Sequence, residues 1–207
     1  MEQKIETELR SKGIGRMVIF FLCGCIVGVL LMIFLPNPME SRVGNTEQNL
    51  RRGAIGEGFG ASRYLLFAQQ AQSAQQPALA SLFRAAAQGE QHRSQMLLMV
   101  GGMPDDLEEN LRTAIHRETE DSQQLYPSFR DIAEQEGNPN AMQVFQMAAE
   151  GQAMTADLFS NALEALQSGQ LTSSYHLCSH CGALYGDSAP DSCSVCGASN
   201  EDFSDFE

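Results

Sequence analysis

Cys178, Cys181, Cys193 and Cys196 form two Cys-x-x-Cys pairs separated by eleven residues, a spacing that brings four thiolates to one tetrahedral metal site. A glycine follows each pair, Gly182 and Gly197, and lets the backbone fold back so that its N–H groups aim at the sulfurs. Four soft ligands suit one iron as a one-electron centre, or zinc as a structural clip, and the spacing leaves both open. Two disulfides are the other product that four cysteines can give.

Such a site needs a scaffold. Residues 45–168 read as four helices. Asn45 and Gln48 form a capping pair for the first, which runs to about residue 74, and Pro77 sits in the first turn of the second. Leu79, Leu82, Phe83, Ala86 and Ala87 recur at helical spacing in the second helix, until Gly101, Gly102 and Pro104 break it. The third covers residues 105–136 with a bend at Pro127, and Gly137 with Pro139 separates it from a fourth ending near Ser168 and Gly169. Four long amphipathic helices predict a mainly α fold, a four-helix bundle over residues 45–168 followed by a small cysteine module over residues 169–207. A chain of 207 residues that is 43% hydrophobic is large enough for one such domain with its appendage.

Charge limits the partners. The net charge is -13, and no Lys or Arg follows Arg130 whereas twelve Asp and Glu do. That half of the chain repels phosphate, which argues against nucleic acid, and should steer a basic redox partner protein toward the cysteine module. A solvated acidic surface is the plainer alternative.

A membrane segment is expected ahead of the bundle. After a tail of residues 1–16, residues 17–35 carry no charge, and a helix of that length spans about 28 Å, close to the thickness of a bilayer's hydrocarbon core. Pro36 and Pro38 end it, and residues 36–44 form a linker. The run is longer than a signal-peptide core and leads into Leu-Pro-Asn-Pro rather than a small-residue cleavage site, which predicts a retained single-pass anchor in the cell membrane. Cys23 and Cys25 lie within the span as packing or lipid-facing residues. Lys4, Arg10, Lys12 and Arg16 before the span, against Arg42, Arg51 and Arg52 after it, lean toward an N-terminus inside.

The helices also carry a more specific pattern. Gly56-Glu57, Arg63-Tyr64 and Phe67-Ala68 resemble the first helix of rubrerythrins. Met-Pro-Asp-Asp-Leu-Glu-Glu-Asn-Leu-Arg at 103–112, then Glu118, Asp121 and Tyr126-Pro127-Ser128-Phe129, are similar to the third. The cysteine knuckles and the intervening Ala189-Pro190 resemble the rubredoxin-like tail of the same family, so the likeness covers residues 46–203. It implies a ferritin-like bundle holding two irons, with the rubredoxin-like centre passing electrons to them for peroxide reduction. In that family the iron ligands are a Glu on the first helix, Glu-x-x-His on the second, Glu-x-x-Glu on the third and Glu-x-x-His on the fourth. Carried over residue by residue, Glu57 matches the first, and a register fixed by Tyr64 and Phe83 places Glu90 on the second. Arg93 then stands at the histidine position. Glu118 and Asp121 match the third helix, while Gln152 and Thr155 occupy the Glu and His positions of the fourth. An amide and a hydroxyl are poor ligands, and His92 lies about 100° around the helix from the missing one. A guanidinium at 93 can instead neutralise crowded carboxylates with bidentate hydrogen bonds. Tyr64 and Tyr126 match family tyrosines that hydrogen-bond the carboxylates.

These readings lead to a membrane-tethered electron carrier displaying a four-thiolate iron centre on a bundle that has lost its two-iron site. A peroxide reductase retaining iron in the bundle, and a zinc-clipped structural subunit of a membrane redox complex, are the alternatives. A homodimer is also expected. Ferritin-like bundles run their second and third helices in the same sense, so the connector must cross the bundle's length. Residues 78–99 make about 33 Å of helix, whereas residues 100–106 reach only about 23 Å when stretched. Unless the third helix starts late, the first helical pair then completes its bundle with the second pair of another chain, the alternative being an up-down-up-down bundle within one chain.

Overall fold

The computed structural model describes residues 44–169 and 174–206. These fall into two compact units that divide between Met103 and Pro104. The expected membrane span lies outside the described residues, and among those described no helix is long and apolar enough to cross a membrane.

The first unit is a helical hairpin of α1 (Thr46–Ser73) and α2 (Pro77–Val100). Asn45 caps α1 by accepting from the Gln48 N–H, and the Gln48 side chain accepts from the Asn45 N–H in return, so two otherwise unpaired donors are satisfied. Gln75, at φ 57, turns the chain between the helices, and Pro77 starts α2 where its missing N–H costs nothing. The helices run antiparallel, with Ala54 opposite Ser94, Glu57 opposite Arg93 and Tyr64 stacked on Phe83. Ala54, Gly60, Ala68 and Ala71 on α1 and Ala80 and Ala87 on α2 are the buried residues, small enough to let the backbones approach closely. Ile55, Phe59, Leu66, Leu82, Met99 and Val100 remain exposed.

In the second unit Asp106 caps α3 (Leu107–Glu120) through the Glu109 N–H. The third helix expected from sequence, with its disturbance at Pro127, is observed as α3, a π-helical turn, Asp121–Leu125, and α4 (Tyr126–Gln135) in direct succession. The cause is Pro127. A proline inside a helix cannot donate to the carbonyl four residues back and its ring pushes that carbonyl away. A change of hydrogen-bond register just upstream, with Tyr126 N–H donating to Asp121 O, relieves both. The last helix, α5 (Pro139–Ser168), packs against this broken rod, with Phe145 meeting Tyr126 and Phe129 and with Arg130 donating to Gln146. Gly169, at φ 73, ends it.

The tail forms a three-stranded antiparallel sheet ordered β2-β1-β3, from β1 (Tyr175–Cys178), β2 (Leu184–Gly186) and β3 (Phe203–Phe206). Its pairs include His176 with Tyr185 and Cys178 with Phe203. The core of this module is Cys178, Ala183 and Cys193, packed by Tyr185, Phe203, Val195 and, from α5, Met154. Gly151 on α5 lies beside the first knuckle, where a Cβ would make ordinary contact with the Ala183 Cα at 3.9 Å.

Candidate metal centre

Both knuckles close in the same way. In the first, Gly182 N–H donates to Cys178 O and Cys178 N–H to Ala183 O. In the second, Gly197 N–H donates to Cys193 O and Cys193 N–H to Ala198 O. The turn needs φ +79 at Gly182 and +77 at Gly197, a region that L side chains avoid. Facing each other, the loops bring all four Sγ atoms within 4.8 Å of one another. The Cys178 sulfur lies 3.6 Å from that of Cys196, and the Cys181 sulfur lies 3.6 Å from that of Cys193. A disulfide needs about 2.05 Å, whereas a tetrahedron with metal–sulfur bonds of about 2.3 Å has edges of about 3.8 Å. The four cysteines are free thiols set at the spacing of ligands.

The sulfurs are not equivalent. Burial alone would push the Cys193 thiol up, but the Tyr185 hydroxyl and the N–H groups of Cys196 and Val195 bring it down to about 6. Burial pushes the Cys181 thiol well up. A metal bound here takes thiolates as ligands, so its binding releases protons.

The carboxylates picked out in the sequence lie in both units. In the first, Arg93 Nε donates to Glu57 Oε2 at 2.9 Å and Arg93 Nη2 to Glu90 Oε1 at 3.0 Å, so one guanidinium joins α1 to α2. Gly60 makes the space for this pairing, because a Cβ at that position would fall 2.9 Å from Glu90 Cδ and nearer still to its Oε2. His92 is exposed to solvent. In the second unit Asp121 is buried and accepts from Arg117 Nε at 2.6 Å. Burial pushes the Glu118 carboxyl up, the Asp121 carboxylate adds to this, and Arg117 opposes it. On α5 the Thr155 hydroxyl donates to Gly151 O, and Gln152 Oε1 is buried without a partner among the described residues. Tyr64 and Tyr126 sit in aromatic clusters, with Phe67 and Phe83 and with Phe129 and Phe145 respectively.

Comparison with known proteins decides the family. A family model for rubrerythrin matches residues 48–153, and another, for the rubrerythrin rubredoxin-like domain, matches residues 176–204. The chain belongs to the rubrerythrin family. It is 24% identical to rubrerythrin-2 of Clostridium acetobutylicum over 177 residues, which cover 78% of this chain and 96% of that one. It is 25% identical to nigerythrin of Nitratidesulfovibrio vulgaris over 181 residues, 81% of this chain and 89% of the relative. A solved structure of nigerythrin in a mixed-valence state aligns with a TM-score of 0.48 at 24% identity, over 79% of this chain and 88% of that chain. This rubrerythrin-family chain thus carries a rubredoxin-like site of four cysteines, a donor set compatible with iron.

Three residues of the rubrerythrin-like helices and tail escaped the sequence reading. Arg117 carries a signal, since it stands four residues before Asp121 and can reach it along one helical face. Gly60 carries a weaker one, a glycine inside an otherwise strong helical pattern. Tyr185 carries none, because its hydroxyl reaches Cys193 only through the pairing of β1 with β2.

Proposed function

We propose that this protein is a membrane-anchored electron carrier, in which a rubredoxin-type iron centre with four cysteine thiolates is displayed on a helical scaffold whose two-iron site has been replaced by ion pairs. The observation that carries the reading is the Arg93 guanidinium, hydrogen-bonded to both Glu57 and Glu90 at the position where the family places a histidine ligand. Carboxylates already neutralised by a guanidinium have little to gain from a cation, and the arginine cannot lose its proton to become a ligand. Gln152 and Thr155 add no anionic donor on α5, and the Thr155 proton is spent on Gly151 O. The residues present do not fit two irons. At the four-cysteine site they do fit, and iron held there supplies a one-electron couple. Cys178 and Cys193 are buried while Cys181 and Cys196 lie nearer the surface, which leaves one edge of the centre open to a partner. The acidic tail steers a basic protein to that edge.

The anchor over residues 17–35 completes the reading, as a single span with the N-terminus inside. Carbonate-resistant membrane association, lost on deletion of residues 1–43, supports it; full extraction with carbonate overturns it.

Metal analysis with a visible spectrum tests the whole proposal. One iron per chain, with a thiolate charge-transfer colour that bleaches on reduction and negligible peroxide turnover, is expected. Three irons with brisk peroxide turnover would restore the peroxide reductase, and colourless protein with one zinc would make the module a structural clip.

The dimer is part of the same proposal. The link between Val100 and Leu107 holds six residues and reaches about 20 Å, while α2 with 24 residues is about 36 Å long. The exposed Phe59, Leu66 and Leu82 of the first pair and Ile132 and Val144 of the second are faces that a second copy can cover. Cysteines on facing core positions of α1 and α3 should cross-link two chains. Efficient linking within one chain overturns the exchange.

A further inference from the structure

The second strand of the tail ends beside the metal centre, with a hydroxyl in contact with one of the four sulfurs. Pairing of β2 with β1 sets Tyr185 opposite His176, and its ring packs on Phe203 with centroids 5.5 Å apart. This holds the phenol oxygen 3.4 Å from Cys193 Sγ. The same oxygen lies 2.9 Å from Ser194 N, which donates to it, and 2.9 Å from Ser194 Oγ. With the backbone N–H filling an acceptor direction, the phenol O–H is left to donate, and the sulfur is a stronger acceptor once it is a metal-bound thiolate. No other side-chain hydroxyl is bonded to a cysteine sulfur among the described residues.

We propose that Tyr185 is a positioning residue for the redox couple, whose hydroxyl donates to the Cys193 thiolate and raises the reduction potential of the iron held by the four cysteines. The inference rests on the reading of the site as an iron centre. Reduction adds one electron and no proton, so the four-thiolate unit becomes more negative by one charge. A donor aimed at its sulfur stabilises the more negative state more than the less negative one. The Ser194 N–H holds the phenol oxygen in place from the backbone, and this bond does not depend on the Ser194 side chain.

The test uses the full chain reconstituted with iron, whatever metal the isolated protein carries, so that the identity of the native metal and the role of Tyr185 are answered separately. In Tyr185→Phe the midpoint potential falls and the thiolate-to-iron bands move to longer wavelength, while iron per chain is unchanged. Ser194→Ala, which keeps the N–H, leaves the potential in place. An unchanged potential in Tyr185→Phe, or an equal fall in Ser194→Ala, overturns the proposal. Should Tyr185→Phe fail to hold iron, a monofluorinated tyrosine at 185 keeps the shape and strengthens the donor, and it must raise the potential. No rise overturns the proposal as well.

Discussion

Replacing Gly60 by alanine sets effects of known size against each other. In the middle of α1 the change gains about 0.8–1.0 kcal/mol of helix stability. Against this, the new methyl group stands 2.9 Å from Glu90 Cδ, closer than real Cβ atoms come to anything. Against a rigid neighbour such overpacking would cost about 1–3 kcal/mol, but the Glu90 carboxylate ends a flexible side chain and can move. Swinging the carboxylate away avoids the clash but breaks the 3.0 Å bond to Arg93, worth about 0.2–1 kcal/mol because the guanidinium is half exposed. The cheaper response decides, so Gly60→Ala should stabilise the protein by only about 0.3 kcal/mol, the helix gain less the lost ion pair. With Glu90→Ala already in place the obstructing atoms are gone, and the same change should stabilise by about 1 kcal/mol. The two sites are therefore coupled by about 0.6 kcal/mol, the value of the ion pair given up. Urea unfolding of the four proteins, followed by far-ultraviolet circular dichroism at one protein concentration, measures this directly. If Gly60→Ala stabilised both backgrounds equally, Glu90 would not lie against α1, and the pairing around Arg93 would fall with it.

Glu118 gives a pH signature. Burial raises its carboxyl above the usual 4.5, with Asp121 adding to the effect. Its native state therefore holds the proton more tightly than the unfolded chain does, and stability falls as pH rises. The contribution is intact below about pH 4 and lost across the window above it, so Glu118→Gln should flatten the decline seen in denaturant titrations between acid and neutral pH. Restoring ligands should restore metal: Arg93→His with Gln152→Glu and Thr155→His is expected to bind more iron per chain than the parent. Metal removal should be local. A strong chelator is expected to abolish the amide signals of β1, β2 and β3 in nuclear magnetic resonance spectra while the helical circular dichroism persists, because Cys178 and Cys193 form the module's core.

The cysteine site was legible because a Cys-x-x-Cys-Gly knuckle is a local structure: four residues and one left-handed glycine determine where both sulfurs point. Helix ends were legible for a similar reason, as Asn45, Pro77 and Pro139 act within one turn of themselves. The π-helical turn was half legible. Pro127 announced a disturbance, but the chain can bend, stop or change register there, and the packing of Tyr126 and Phe129 on Phe145 accompanies the outcome. The Tyr185 bond to Cys193 was out of reach, since it depends on strand register and on a loop eight residues away. Arg93 shows the opposite case: its charge and register position foretold a bridge between carboxylates, and the side chain spans Glu57 and Glu90.

Cys178 is fully buried and Cys193 is 2% exposed, so an incoming ion can reach only the outer pair of sulfurs until the strands part. Replacement of one metal by another then calls for an opening of the module, so its rate follows the local stability of the strands around Cys178 and Cys193.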